Sequence, residues 1–334
     1  MENSEPPLYA IQSLVERLRL GVAPAVERVP EGVSTYVYRV RYRAARFYLR
    51  ILPECGATFA PEVRVLGLLR ERGVPVPEVI YYEPRDATLG RSVMVTTEIP
   101  GHSLATGGLA TVTKHVLIEA GRALATINSI PVVGFGWIKR DHDTGIQITA
   151  EHAAYRAFAL EHLGADLAIL GANVLTGEEV ATIRGLMARH DPWLDVEHAR
   201  LAHGDFDVTP IMQQHGRFTG IIDFGEIRGG DQWYDLAHFR MHDGETLPTL
   251  GLPWLLEGYA DVTPLPVDYA QRISFASLLI ATRALARRLA KLGRTSRITK
   301  GPYRSDAISR YFVRRNTQGR GEVENPVFFN MLYV

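Results

Sequence analysis

From His203 to Glu226 the chain reads HGDFDVTPIMQQHGRFTGIIDFGE, and it concentrates four carboxylates, Asp205, Asp207, Asp223 and Glu226, in that one stretch. Two strand-like runs, IMQQ and RFTGIID, flank His215-Gly216, a pair compatible with a two-residue hairpin turn. Pairing Gln214 with Arg217 sets Thr209 opposite Ile222 and Val208 opposite Asp223, with cross-strand neighbours about 5 Å apart. The loop HGDFDVTP and the turn DFGE then lie side by side at one end of the hairpin. Two carboxylates roughly 5 Å apart repel by about 3 kcal/mol at an effective dielectric near 20. A positive charge between them removes that cost. Mg²⁺ suits the place, because it takes one or two carboxylates and fills its other positions with water and substrate phosphates. One acid then holds metal while another stays available to orient a hydroxyl, which is the division of labour in phosphoryl transfer. The same residues also admit a hydrolase metal site, or an acidic turn whose carboxylates cap helix starts.

Other groups offer rival chemistry. His238 and His242 are four apart on a helical pattern, a spacing that can chelate zinc, although no Glu adjoins His238 in the metalloprotease arrangement. The plainer reading is a polar helix face. A metal-dependent phosphohydrolase would use His and Asp in this manner too, but it needs further histidines from separate loops. Arg272 to Arg315 holds twelve Lys or Arg and one acid, Asp306. That strip reads as the wet face of helices that bury ISFASLLIATRALA, or as a contact for an acidic partner or nucleic-acid phosphates. No GxxxxGK run exists, which argues against P-loop nucleotide hydrolysis.

The elements that position these groups change character along the chain. Leu8 to Leu20 has helical spacing, whereas Gly32 to Leu52 alternates Val, Tyr and Phe with Arg and Thr, the period of a hairpin turning near Ala44 and Ala45. A helix follows, with Pro61 in its first turn and Gly73 at its end. VPVPEV is extended, and Arg91 to Gly101 reads as a strand running into a Pro-Gly turn. From Val112 helical patterns dominate, as in KHVLIEAGRALATIN and EHAAYRAFALEHLGADLAILG, and strong strand signals recur only around the acidic stretch. This is a β-rich lobe followed by a mostly helical one, divided near Gly101. With 334 residues, 46% of them hydrophobic, the chain can fill a sizeable core. Lys plus Arg and Asp plus Glu both total 37, so net charge gives no general pull toward nucleic acid or membrane. The lone Cys55, the acidic amphipathic N-terminus and the lack of a run near ~18 apolar residues set the expectation of a cytoplasmic protein.

The order HGDFDVTP, hairpin, IIDFGEIRGGDQWYDLA resembles the catalytic core of the aminoglycoside phosphotransferase family, kinase-like small-molecule phosphotransferases that include hygromycin B phosphotransferase, choline kinases and fructosamine kinases. FYLRILP, FAPEVRVLGLLRERGVPVPEVI, VMVTTEIPGHSL and GRALATINSIPVVGFGWI are similar, in the same order, to the family's nucleotide-lobe strand, inserted helix, hinge and helical-lobe entry. The resemblance covers roughly residues 30 to 290. It implies an α+β, bilobal protein-kinase-like fold: a small β-rich nucleotide-binding N-lobe over 1–100, a larger mostly helical C-lobe over 101–315, and a tail over 316–334. It implies Mg²⁺ with ATP or GTP, and transfer of the γ-phosphate to a hydroxyl of a small molecule, an aminoglycoside or a similar antibiotic or metabolite. Neither a membrane nor nucleic acid is expected as a partner.

Carried over by position, the resemblance implies that Asp205 is the catalytic Asp near the acceptor hydroxyl and that Asp223 binds Mg²⁺. Arg50 stands where the family commonly has a phosphate-binding Lys; its planar fork differs from an ammonium. Glu62 is its expected ion-pair partner. Glu31 to Thr35 would cover the phosphates, Thr96, Thr97 and Glu98 would offer backbone groups to the base, and Asp235 would anchor the catalytic loop from a helix. Two positions depart from the family. Its Asn five residues past the catalytic Asp, a second metal ligand, is Pro210 here, whose side chain has no donor or acceptor. Asp207 or Thr209 would substitute. INS at Ile127 to Ser129 replaces the usual Leu-His pattern. A catalytically impaired kinase-like nucleotide-binding protein and a metal-dependent phosphohydrolase are the alternatives.

Overall fold

A computed structural model describes residues 5–18, 24–30, 35–106, 110–140, 147–247 and 249–295. The tail over 316–334, the basic strip beyond residue 295, and all but Thr35 of the expected phosphate-covering loop lie outside the described residues.

Helix α1 (Leu8–Arg17) is followed by strands β1 (Ala25–Val29), β2 (Tyr36–Tyr42) and β3 (Ala45–Ile51), helix α2 (Ala60–Glu71), and strands β4 (Val79–Glu83) and β5 (Val93–Thr97). The strands form an antiparallel sheet in the order β1-β2-β3-β5-β4. The β2–β3 hairpin closes with Tyr42 opposite Ala45, and Arg43 takes the positive φ (52°) of the turn. β5 lies between β3 and β4 and is apolar on both sides. Val93 and Val95 join Leu49, Ile51, Tyr38 and Val40 against Ile11, Leu14 and Val15 of α1, whereas Met94 faces the larger core with Val65, Leu66 and Leu69 of α2. The expected hairpin and inserted helix are both present. β1 and β4 were not foreseen, because AVERV and VIYYE give short or broken alternation.

Past the Pro100-Gly101 turn come β6 (His102–Ser103), α3 (Ala110–Ile127), β7 (Phe135–Ile138), β8 (Ala150–His152), α4 (Tyr155–Leu160), α5 (Leu163–Asn173) and α6 (Gly177–Arg189). The acidic stretch supplies β9 (Arg200–Ala202), β10 (Ile211–Gln214), β11 (Arg217–Ile221) and β12 (Arg228–Gly230), and α7 (Tyr234–His242), α8 (Leu252–Ala260) and α9 (Tyr269–Thr295) complete the described chain. The helical expectation for EHAAYRAFALEHLGADLAILG needs correction. The run starts as β8 and breaks between α4 and α5, and β8 joins a four-stranded sheet in the order β8-β7-β12-β9. These strands are three or four residues long, too short for a period of two to emerge from sequence.

The connection between the β-rich and helical parts is fixed to the acidic hairpin. β6 pairs with β10, Met212 opposite Ser103 and Gln213 opposite His102. Thr219 donates its hydroxyl to the Pro100 carbonyl at 2.7 Å, and the Ile221 amide donates to the Pro75 carbonyl at 3.0 Å. Within the helical part, α3 and α8 approach through glycines: a Cβ on Gly258 would lie 1.8 Å from the Ile118 carbonyl oxygen, and one on Gly121 would lie 2.1 Å from that of Leu255. Since overpacking a fixed contact costs about 1–3 kcal/mol, Gly258→Ala is expected to lower unfolding stability by about 2 kcal/mol or more. Urea titration followed by far-UV circular dichroism measures this, and an unchanged midpoint would show that the two helices are free to separate.

Candidate active site

β9 delivers the chain to His203 and Gly204, whose backbone amides point inward with no strand partner. The buried Asp235, in the first turn of α7, takes both: its Oδ2 accepts from the His203 amide at 2.8 Å and its Oδ1 from the Gly204 amide at 2.9 Å. Asn128, at the end of α3, donates to the same Oδ2 at 2.9 Å and to the Leu201 carbonyl at 2.9 Å, and the Tyr259 hydroxyl of α8 meets its side-chain oxygen at 3.3 Å. The INS departure thus places an amide at the anchor, where it can donate and accept. Gly204 has φ of 92°, and a Cβ there would strike the Glu226 carbonyl oxygen. The loop is therefore locked on one side, and the next residue, the exposed Asp205, projects from it.

The hairpin returns the chain as expected, with one shift. Gln214 pairs with Arg217 and Gln213 with Phe218, but Met212 then pairs with Gly220 and Ile211 with Ile221. Thr219 is an extra residue, a bulge that moves the register by one. Pro210 consequently faces Ile222, whose amide donates to its carbonyl at 3.0 Å, in place of the expected Thr209–Ile222 pairing. His203 crosses from the loop to the second strand, donating Nε2–H to the Ile222 carbonyl at 2.9 Å, and its ring packs edge-on against Phe206 and Phe224.

Asp223 follows Ile222, exposed and in the left-handed region (φ 65°, ψ 59°), and opens the short 3-10 turn Phe224–Glu226. Burial raises the Glu226 carboxyl pKa, and the charges of Asp205 and Asp223 add to that effect while Arg228 and Arg140 oppose it. These acids therefore share one electrostatic neighbourhood. Asp207 is partly engaged already, since its Oδ1 accepts the Thr209 amide at 2.6 Å, while the Thr209 carbonyl accepts from the Ser103 hydroxyl at 2.7 Å. Pro210 is buried and offers only its carbonyl.

Across the cleft, Arg50 of β3 donates Nη1–H to Glu62 Oε2 at 2.8 Å. Glu62 is fully buried, and a lone buried carboxylate is costly unless paired. A second guanidinium completes the pairing, since Arg140 Nη2 donates to Glu62 Oε1 at 2.5 Å and to the Gly225 carbonyl at 2.6 Å. At the expected base contacts, Thr96 and Thr97 lie in β5; the Thr97 amide donates to Glu78 and the Glu98 amide to Arg46, so these two N–H groups are engaged within the β-rich part.

His238 and His242, expected on a polar helix face, are largely buried, and His238 is turned toward the loop. His238 donates Nδ1–H to the Phe206 carbonyl at 3.2 Å and sets Nε2 3.4 Å from Asp205 Oδ1, with the two imidazoles 4.8 Å apart. Burial, reinforced by the charge of His242, pushes the His238 imidazole down to about 4, so its ring is neutral near pH 7. Burial is the largest single influence on His242 and pulls it down, but the hydrogen bond to Glu245 and the charges of Glu245, Asp207 and Asp205 together leave it raised. Among the described residues no group of three or more His, Cys, Asp or Glu is arranged to hold a metal ion by itself. Sequence could have placed His238 here: it follows Asp235 by three residues, so a helix puts both on the face toward the loop after β9. Arg140 carried no such signal. A cavity of about 660 Å³ opens beside the turn, lined among others by Trp137, Lys139, Arg140, Glu151 and Glu226.

The structure thus brings together a buried acid that holds two loop amides, an exposed acid next to those amides, a second at the far end of a hairpin, and a guanidinium-carboxylate pair tied to the same turn through Arg140. A family model described as the phosphotransferase enzyme family matches residues 25–271. The chain belongs to this family. Among solved structures, aminoglycoside phosphotransferase APH(4)-Ia has a TM-score of 0.64 at 16% identity, covering 94% of this chain and 100% of that one. Macrolide 2'-phosphotransferase MphH from Brachybacterium faecium has 0.55 at 16%, covering 95% and 99%, and a putative fructosamine-3-kinase from Thermobifida fusca YX-ER1 has 0.56 at 20%, covering 85% and 99%. The fold is thus the α+β kinase-like one, and the protein is a phosphotransferase. Among the described residues no helix is long and apolar enough to cross a membrane.

The anchor of this phosphotransferase gives a direct test. Hydrogen bonds to a charged group contribute about 1.5–3 kcal/mol each, and Asp235→Ala leaves two buried amides without an acceptor. It is expected to destabilise the chain by at least about 2 kcal/mol, measured by urea unfolding, and to abolish phosphate transfer under conditions where the variant is still folded. A folded, fully active variant would rule out this anchor.

Proposed function

We propose that the protein transfers the γ-phosphate of ATP or GTP to a hydroxyl of a small molecule, with the nucleotide bound by residues 1–100 and the acceptor by the helical part over 101–315. The placement of Asp205 carries this reading: it is exposed, projects from a loop fixed by Asp235, and lies close enough to Asp223 for both charges to act on Glu226. Asp205 receives the acceptor hydroxyl as a hydrogen-bond donor and takes its proton as the phosphate is transferred. Arg50, oriented by Glu62, binds nucleotide phosphate oxygens. Thr96 to Glu98 lead the chain past the base, whose contacts fall to backbone groups there other than the Thr97 and Glu98 amides.

The donor set fits Mg²⁺, because exposed carboxylate oxygens crowd at the turn and a hard cation needs only one or two of them alongside phosphates. Asp223 would hold the ion, with Asp207 and Thr209 the side chains available where Pro210 leaves none. When bound, Mg²⁺ neutralises phosphate charge. Asp207 can serve with the oxygen that does not accept the Thr209 amide.

Proteins of the same fold support the nucleotide assignment. APH(4)-Ia has been solved with ADP and hygromycin B and with AMP-PNP and hygromycin B, and aminoglycoside 2'-phosphotransferase-IIIa with GDP. Their acceptors span antibiotics and, by name, fructosamine, so an aminoglycoside or a related antibiotic or metabolite is the proposed acceptor class.

Asp205→Asn is expected to lower kcat at least ~100-fold while nucleotide Kd stays within a few fold. Asp223→Asn is expected to weaken nucleotide binding in Mg²⁺ as well. Calorimetric titration with AMP-PNP, and a turnover screen against aminoglycosides, amino alcohols and sugars, read both. Undiminished turnover in the two variants would overturn the assignment.

A further inference from the structure

Glu62 is a single buried carboxylate with two guanidiniums on it, and the second one comes from the other side of the cleft. Arg50 reaches Oε2 from β3 and packs its guanidinium 5.3 Å from the centre of the Phe59 ring. Arg140 follows β7 in the helical part and reaches Oε1. The same Arg140 Nη2 also donates to the Gly225 carbonyl at 2.6 Å, two residues past Asp223, and the Arg140 carbonyl accepts the Thr58 amide just ahead of α2 at 2.7 Å. One residue therefore joins the start of α2, the buried acid and the Asp223 turn.

We propose that Arg140 is a positioning residue for nucleotide binding; this rests on the phosphotransferase reading of the Arg50 and Asp223 sites. Two consequences follow from its contacts. The first is electrostatic. An isolated Arg50–Glu62 pair is neutral, so Glu62 would cancel most of the charge that Arg50 presents to phosphate. With Arg140 sharing Glu62, the trio carries a net positive charge, and at low effective dielectric that charge acts strongly on a polyanion a few ångströms away. The second is geometric. The hydrogen bond to Gly225 fixes the height of the Asp223 turn relative to Arg50, so the groups on the two sides of the cleft hold one spacing. Both contacts come from the one nitrogen Nη2, whose two hydrogens lie fixed in the guanidinium plane, whereas the hydrogens of a lysine ammonium rotate on a flexible stem.

A purely structural ion pair would affect stability alone, so the test separates binding from folding. The full-length wild type, Arg140→Met and Arg140→Lys are compared for AMP-PNP and GMP-PNP affinity by calorimetry, with and without Mg²⁺, alongside thermal unfolding. Arg140→Met is expected to raise Kd at least about tenfold, equivalent to ~1.4 kcal/mol, and Arg140→Lys to lie between it and the wild type. With an acceptor that turns over, KM for nucleotide rises while KM for the acceptor stays within about twofold. If Arg140→Met does not fold, Arg140→Lys carries the test, with an expected loss of about threefold or more. Affinity within twofold of wild type in a folded Arg140→Met, or in Arg140→Lys where only that variant folds, overturns the proposal and leaves the phosphotransferase reading intact. A wild type that binds neither nucleotide overturns both.

Discussion

A carboxylate taken wholly out of water must find donors, and Asp235 finds them in the backbone of the loop that matters most. Its two oxygens accept from consecutive amides at His203 and Gly204, and Asn128 shares one of them. Those amides belong to a segment that has left β9 and would otherwise stay unsatisfied in the interior. One charge on α7 thereby ties together the loop that follows β9, the end of α3 and, through Tyr259, α8. The backbone position of Asp205 is inherited from helix packing, and its exposed side chain meets His238 Nε2 at 3.4 Å.

The same logic operates on the far side of the cleft. There the buried acid is Glu62, and its donors are guanidiniums instead of amides. Burying an ion pair gives little net stability by itself, so a pair retained in the interior makes more sense as a device for geometry and local potential. The cleft that results is polarised, with surplus positive charge beside β3 and α2 and crowded carboxylates on the loop and turn opposite. On the proposed reading a metal-bound triphosphate satisfies both walls.

How much of this the residues disclosed depended on the range of the interaction. The β2–β3 hairpin and α2 follow from periodicity and from Pro61 and Gly73, all local signals. The convergence of Asp205 and Asp223 followed from a short hairpin whose ends must meet whatever the details of its pairing. The bulge at Thr219 was beyond reach, because it answers to Pro100 and Pro75, distant in sequence. The strands β7, β8, β9 and β12 escaped for another reason: a segment of three or four residues becomes a strand through its neighbours and not through its own pattern. Arg140 belongs with them, since an arginine after a short strand has nothing in its surroundings to announce a buried glutamate from the other part of the fold. His238 was legible and overlooked, one helical turn past an acid already assigned to the inner face.

The backbone at Asp223 bears on how the turn can vary. Left-handed backbone is open to Gly and tolerable for Asp or Asn, whereas a Cβ without a short polar group to bond locally raises its energy. On the proposed reading, truncating this side chain to a methyl would therefore record two losses at once, one of an oxygen ligand and one of conformational ease. Divergent relatives that have abandoned the metal would be expected to keep asparagine or glycine here, a fossil of the bend outliving the chemistry.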